Sequence, residues 1–371
     1  MKIGILTYHR SQNYGALLQA FAMQQFLEDN GNEASFVDYW PSYHADEYKL
    51  FSWNKIKKLP LKYKITYIIR FLGTCVRTPL RHRNTRFFID NNLHVNDDKK
   101  FDLVVYGSDQ IWRRQNYSGF EGFNPVYFGE GFVDAPYKVA YAASMGDIIV
   151  KDDNDRNILA NGFRNFSAIG VREEEVKDFI EKDFHIPCKL VLDPVFLLTK
   201  EQWLSKIKTE SIPKQKYIFH YRLMTDSPTD KIANEISRQT GFPVVEMRGV
   251  VPIGHYGKYN RFTDGPLEFL SLINGAEYVV ASSFHGVALS ICLEKDFFLC
   301  AEMKRMNRLN TLLSRLNLTD RIIEKNKIKE LNIDRKINYG EVKKQLYVLQ
   351  QDSREWLLHQ IAISKHNSER E

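Results

Sequence analysis

Two kinds of apolar pattern alternate along this chain. Short β-branched and aromatic runs give way to longer stretches in which apolar positions recur every three to four residues. That alternation is what parallel strands joined by covering helices require. In the first half it predicts strands near 2–7, 34–39, 102–106, 138–142, 168–171 and 189–192, with helices near 15–29, 152–165 and 172–182. The pattern restarts after Leu198, with strands near 217–221, 243–247, 277–281 and 297–300 and helices near 228–240, 266–274, 285–293 and 305–316. A last helical stretch, about 339–365, is rich in Lys, Gln, Leu and Trp. The expected fold is α/β: two Rossmann-like domains facing a cleft, 1–198 and 199–338, then a C-terminal helix over 339–371.

Composition supports the two-domain reading, because 371 residues are too many for one ordinary core. Apolar residues at 43% and aromatics at 13% suit a packed globular chain rather than disorder. Cys75, Cys188, Cys292 and Cys300 lack metal-ligand spacing and read as reduced thiols of a cytoplasmic protein. No metal and no cofactor is expected. Strand-like sequence begins at Lys2, so nothing at the N-terminus resembles a signal peptide and none is expected, and no uncharged apolar run is long enough to span a bilayer.

Charge changes the picture at one place. Residues 48–89 hold eleven of the 52 basic residues and no Asp or Glu, so the remainder carries 41 basic against 46 acidic. Interleaved with those charges are Phe51, Trp53, Leu61, Tyr63, Ile65, Ile68, Ile69, Phe71 and Leu72. Such a basic helical insertion, 48–90, suits an anionic membrane surface equally as well as it suits a solvated hairpin packed on the domain. No nucleic-acid motif accompanies it, so nucleic acid is not an expected partner.

Candidate chemistry sits at two strand-to-helix turns. Tyr278-Val279-Val280-Ala281 runs into Ser282-Ser283-Phe284-His285-Gly286, which opens a helix. Ligands of open α/β sheets bind at this end of the strands, and a helix N-terminus there favours an anion. The N-terminal strand likewise ends in His9-Arg10-Ser11-Gln12-Asn13-Tyr14-Gly15, a polar loop without a dinucleotide or Walker glycine pattern.

Taken together, these residues resemble the polysaccharide pyruvyl transferase family. The matching motifs run in order from Ser11–Ala20 through Tyr106–Trp112, Tyr141–Gly146, Val171-Arg172-Glu173 and Leu192–Leu198 to Ser283–Gly286 and Asn307–Leu313. The resemblance implies a glycosyltransferase-B-like fold, in which the last helix can cross back to the first domain. It also implies transfer of pyruvate from phosphoenolpyruvate, the donor substrate, to a sugar hydroxyl pair as a ketal. The acceptor would be a surface-polysaccharide precursor such as a polyprenyl-diphosphate-linked glycan, met at the inner membrane face. The first domain would take the acceptor and the second the phosphoenolpyruvate.

The chemistry agrees with that assignment. A phosphate and a carboxylate call for guanidinium groups and helix-terminal N–H donors. Ketal formation needs a proton delivered to the donor's methylene carbon and one taken from each attacking hydroxyl, which a histidine can do. His285 is the expected catalytic acid/base. Arg172, Arg222, Arg248, Ser283 and Gly286 are the expected donor ligands, with Arg222 or Arg248 replacing the arginine that some family members carry where this chain has Ser283. Asn13, Tyr14, Gly15, Ser108, Asp109, Gln110 and Trp112 are the expected acceptor wall. Glu173-Glu174-Glu175 read as a favourable helix start, Asp193-Pro194 as a structural turn and His220 as a core histidine. A nucleotide-sugar glycosyltransferase of the same fold and a non-catalytic glycan-binding protein are the alternatives, since architecture alone does not separate them.

Overall fold

The structure is a computed structural model that describes residues 1–47, 49, 51, 53–117, 119–223, 228–254, 257–301 and 306–368. In the first half the strands are β1 (Lys2–Leu6), β2 (Glu33–Val37), β3 (Val95–Asn96), β4 (Leu103–Tyr106), a small antiparallel hairpin of β5 (Gln115–Tyr117) and β6 (Phe120–Gly122), then β7 (Tyr137–Ala143), β8 (Ala168–Val171) and β9 (Lys189–Leu190). The second half contributes β10 (Ile218–Arg222), β11 (Val244–Arg248), β12 (Tyr278–Ala281), β13 (Phe297–Cys300) and β14 (Ile322–Ile323). Helix α1 (Tyr14–Asp29) joins β1 to β2. The β2–β3 connection holds α2 (Ser42–Glu47), α3 (Trp53–Lys58), α4 (Leu61–Thr74) and α5 (Arg77–Asn92). Further along come α6 (Asp153–Arg164), α7 (Glu174–Phe184), α8 (Lys200–Leu204), α9 (Thr229–Thr240), α10 (Pro266–Gly275), α11 (Phe284–Cys292), α12 (Asn307–Arg315) and α13 (Tyr339–Ser368).

Both main sheets are wholly parallel. Their strand orders are β3-β2-β1-β4-β7-β8-β9 and β11-β10-β12-β13-β14. Each order reverses once, between β1 and β4 in the first sheet and between β10 and β12 in the second. Ligands of doubly wound sheets bind at those reversals, beyond the carboxyl ends of the strands. The loops that leave there are the ones carrying the Ser11–Gly15, Gly107–Trp112 and Ser282–Gly286 motifs.

The strong patterns fold as read, within one to three residues at their ends. The short pieces β3, β5, β6, β14, α2 and α8 lie below the length at which periodicity separates strand from helix. The basic insertion breaks into separate helices on either side of Pro60, which stands at the N-cap of α4 and disfavours helical backbone at the residue before it.

Packing explains why α1 has almost no polar face. It is buried nearly all round, because one side lies on the first sheet and the other meets α10 and α11 of the second half. A single apolar cluster therefore runs through both halves, joining Leu17 and Phe21 to Val195, Trp203, Phe269 and Leu289. Separate clusters cover the outer faces of the two sheets. Helix α13 lies on the first half: Ser353 Oγ accepts the Leu192 N–H at 2.9 Å, Arg354 donates to the Leu197 carbonyl at 2.7 Å, and Trp356 covers Gly170. A Cβ on Gly170 would sit 2.9 Å from the Trp356 ring, so the position admits only hydrogen there.

Candidate active site

The first-half wall starts at the β1–α1 turn. Asn13 caps α1, its Oδ1 accepting the Gly15 N–H at 3.1 Å. Tyr14 is enclosed: its hydroxyl donates to the Asp264 carbonyl across the junction, and the Arg81 guanidinium lies 4.6 Å from its ring centre. Beyond β4, Gly107 and Ser108 are joined by a cis peptide bond and Asp109 holds a left-handed backbone, φ 71°. The Asp109 backbone pairs with Ala143 and the Ser144 N–H donates to its carbonyl at 3.0 Å, which keeps the strained residue in place. Neither Ser108 nor Asp109 caps a helix, since a turn follows rather than a helix.

Arg172, at the end of β8, is the hub of this wall. Its Nη1 donates to Ser108 Oγ at 3.0 Å and to Asp193 Oδ2, its Nε faces Glu173 Oε1 at 3.2 Å, and its Nη2 faces Asp109 Oδ1 at 3.4 Å. The Ser108 hydroxyl also lies 2.9 Å from Asp193 Oδ2. Arg172 is 5% exposed and enclosed by three carboxylates, so it is not a free hand for donor phosphate. The expectation of donor binding is corrected: Arg172 positions Asp193 and Asp109. Glu173, Glu174 and Glu175 do stand at a helix start, with Glu173 at the N-cap of α7 and the other two in its first turn, and Glu173 is in addition a buried partner of Arg172. Burial pushes its carboxyl up despite Arg172 and Arg308 nearby.

Asp193, read as a structural turn, is at the centre of the site. It does begin a turn, accepting the Val195 N–H at 3.2 Å. Its other oxygen, Oδ2, meets Arg172, Ser108 and, at 3.5 Å, His285 Nε2. Burial pushes this carboxyl up, but His285 and Arg172 beside it outweigh burial and hold it well below the usual carboxylate range.

His285 comes from the second half, in the first turn of α11. Ser283 starts that helix by accepting the Gly286 N–H at 3.0 Å, so Ser283 and Gly286 satisfy each other in this structure. The imidazole is 4% exposed, its Nε2 makes no hydrogen bond, and its nearest acid is Asp193. Across the junction it faces Gly15, where a Cβ would lie 2.4 Å from His285 Cβ and 2.5 Å from Nδ1. Only a glycine lets the two halves close on this histidine. The preceding Phe284 ring is flanked by Arg172 at 4.7 Å and Arg308 at 5.8 Å.

The remaining expected residues divide. Arg222 and Arg248 are register partners at the ends of β10 and β11. Arg222 donates to Asp230 Oδ2 at 2.5 Å, and Arg248 makes a two-pronged contact with Glu246 at 2.7 and 3.1 Å. His220 is a buried core residue whose Nε2 lies 3.0 Å from Thr229 Oγ1. Trp112 is corrected: it is 0% exposed, stacks on Phe128 with centroids 5.6 Å apart, and donates its N–H to the Tyr127 carbonyl at 2.9 Å. No face of it is open to a sugar. Gln110 packs its amide against Gly146, and Ser108 is wholly buried. Sequence reading missed Asp193, Arg308 and the Gly15–His285 contact, although all four residues lie inside motifs it singled out. Among the described residues, no group of three or more His, Cys, Asp or Glu has the geometry of a metal site.

These features define a two-domain α/β protein of glycosyltransferase-B-like fold with its candidate site at the junction of the halves. Solved structures of that fold resemble it at low identity. The S. aureus MnaA–UDP co-structure aligns at 7% identity over 99% of this chain and 97% of that one, with TM-score 0.50. UDP-GlcNAc 2-epimerase from Neisseria meningitidis aligns at 9% over 97% and 99% with TM-score 0.49, and the glycosyltransferase SnogD from Streptomyces nogalater at 11% over 98% and 99% with 0.43. At such identities the likeness concerns the fold alone. Comparison with curated protein sequences gives no match. The model of the polysaccharide pyruvyl transferase family matches residues 13–302, and the chain belongs to that family.

Proposed function

We propose that this protein transfers pyruvate from phosphoenolpyruvate to two hydroxyls of a sugar in a surface-polysaccharide precursor, forming a cyclic ketal, with His285 as general acid and base. The observation that carries this reading is the His285–Asp193 pair, buried at 3.5 Å at the junction with the carboxylate anchored by Arg172 and Ser108. A carboxylate so fixed orients an imidazole and stabilises it when it carries a proton.

Protonated His285 delivers a proton to the methylene carbon while the first hydroxyl bonds to the adjoining carbon, and the neutral imidazole takes that hydroxyl's proton. The carbon–oxygen bond to phosphate then breaks. The second hydroxyl closes the ketal and loses its proton to the departing phosphate, while His285 ends protonated as it began. One diol and one phosphoenolpyruvate thus give one ketal and one hydrogen phosphate. Donor anions are assigned to Arg222 and Arg248, exchanging their carboxylate partners, and to Arg308 beside Phe284. Asn13, Gly15, Asp109 and Gln110 are assigned to the acceptor.

The test is inorganic phosphate release from phosphoenolpyruvate with a panel of hexosides. His285→Ala should lower turnover by roughly 10²- to 10⁴-fold while leaving donor binding measurable. Undiminished turnover in that variant refutes the assignment.

The insertion supplies a partner for the same reading, an anionic membrane surface. Leu61, Ile65, Ile69 and Leu72 form one exposed stripe along α4, Val76 is exposed just beyond its end, and residues 48–89 carry only positive charge. No helix among the described residues is long and apolar enough to cross a membrane, so contact would be at the surface. Sedimentation with vesicles should show binding that rises with phosphatidylglycerol content and disappears in a variant with Leu61, Ile65, Ile69 and Leu72 changed to Ser. Equal binding by both proteins contradicts it.

A further inference from the structure

Between the insertion and the second half lies a cavity of about 320 Å³, at the lower end of the size that small-molecule sites occupy. Its walls come from four places: Gln12 in the β1–α1 loop, Lys49 ahead of α3, the inner sides of α4 and α5, and Gly249–Val251 after β11. Arg70, Arg81 and His82 line it together with Lys49, and no carboxylate lines it among the described residues.

Arg81 is the telling residue. It is 3% exposed, and its guanidinium donates to the carbonyls of Arg248 at 2.6 Å and Gln12 at 3.3 Å. Those bonds hold the group in place without neutralising it, and no acid pairs with it among the described residues. A buried guanidinium without a counter-charge is costly, and an anion in the cavity supplies the missing charge. A second polar group points the same way. The Gln12 side-chain oxygen is buried without a hydrogen-bond partner, and a half-turn of the amide presents its NH₂ to the cavity instead. Tyr67, Phe71, Pro79 and Val250 supply an apolar and aromatic side, with the hydroxyl-bearing Thr74 and Thr78 also in the lining.

The cavity also adjoins the junction. Arg81 covers the ring of Tyr14, and the next residue, Gly15, touches His285. Cationic groups beside an apolar wall, one layer from the candidate catalytic histidine, match a ligand with a phosphate head and a hydrocarbon tail.

We propose that this cavity binds the phosphate-bearing end of the acceptor, a prenyl-diphosphate-type group, and so orients the attached sugar toward His285. The inference rests on the acceptor reading above, but its test does not require turnover. Full-length protein is titrated calorimetrically with geranyl diphosphate, inorganic pyrophosphate and phosphoenolpyruvate. The wild type should bind geranyl diphosphate saturably and more tightly than pyrophosphate, because the tail uses the apolar wall.

Among the described residues no other side chain bonds to the Arg70 or His82 side chain, so the double variant Arg70→Gln, His82→Gln should fold and melt as the wild type does. It should lose about tenfold or more in geranyl diphosphate affinity while keeping its affinity for phosphoenolpyruvate. The proposal is overturned if the wild type does not bind geranyl diphosphate, or if the variant binds it equally well. It is overturned too if the variant loses phosphoenolpyruvate instead, which would make the cavity the donor site. A failure of pyruvyl transfer with geranyl diphosphate binding intact would count against the catalytic reading and leave this one standing.

Discussion

At the residue scale, the account turns on how closely His285 is held. Gly15 allows contact from the opposite half at a distance no side chain could share. Gly15→Ala should therefore displace the imidazole and lower kcat by roughly 10²-fold, with the KM for phosphoenolpyruvate little changed. Steady-state kinetics check this, and an unchanged kcat contradicts it. Asp193 was the least legible of the important residues. In Leu192-Asp193-Pro194 it looks like a turn former, and it does cap a turn through one oxygen. The other oxygen reaches Arg172, Ser108 and His285, residues 21, 85 and 92 positions away, which no local pattern reports. Trp112 failed in the opposite sense. It stands in a motif with candidate ligands, yet a neighbour's role does not fix which way a side chain points, and this one points into the core.

At the scale of elements, the strands and long helices were legible because each carries its own apolar period, and the loop-bearing motifs fell at the strand ends where chemistry belongs. What the pattern could not show is the pairing between elements. The ends of β10 and β11 place Arg222 beside Arg248, and beneath them β10 buries His220.

Burial foremost, then those two arginines, pulls the His220 pKa down to about 3. The unfolded imidazole titrates near ~6.5, so the folded chain excludes a proton that the unfolded chain accepts between those values. The neutral His220 costs nothing above ~6.5, and stability declines as pH falls from there toward about 3. His220→Gln retains an amide for Thr229. It should remove up to about 1.4 kcal/mol per pH unit from that decline, measured by urea unfolding at about pH 6, 5 and 4. Parallel curves for the two proteins would contradict this.

At the scale of the whole molecule, two sheets share one apolar cluster through α1, and α13 ties the end of the chain back to β7 and β8. Leu357, 0% exposed on α13, should cost about 2–5 kcal/mol when changed to Ala. Because the core is shared, unfolding should remain a single calorimetric transition; two resolved transitions would contradict the shared core. The shared core also places the histidine of one half against the carboxylate of the other, so the site exists only when the halves are together.

The central claim is that this junction serves phosphoenolpyruvate. Isothermal titration of the full-length protein with phosphoenolpyruvate and, separately, with UDP-GlcNAc tests it most directly. Saturable binding of phosphoenolpyruvate, weakened by Arg222→Ala or Arg308→Ala and absent for UDP-GlcNAc, is the predicted result. Binding of UDP-GlcNAc with none of phosphoenolpyruvate would contradict the account and make the protein a nucleotide-sugar enzyme on the same fold.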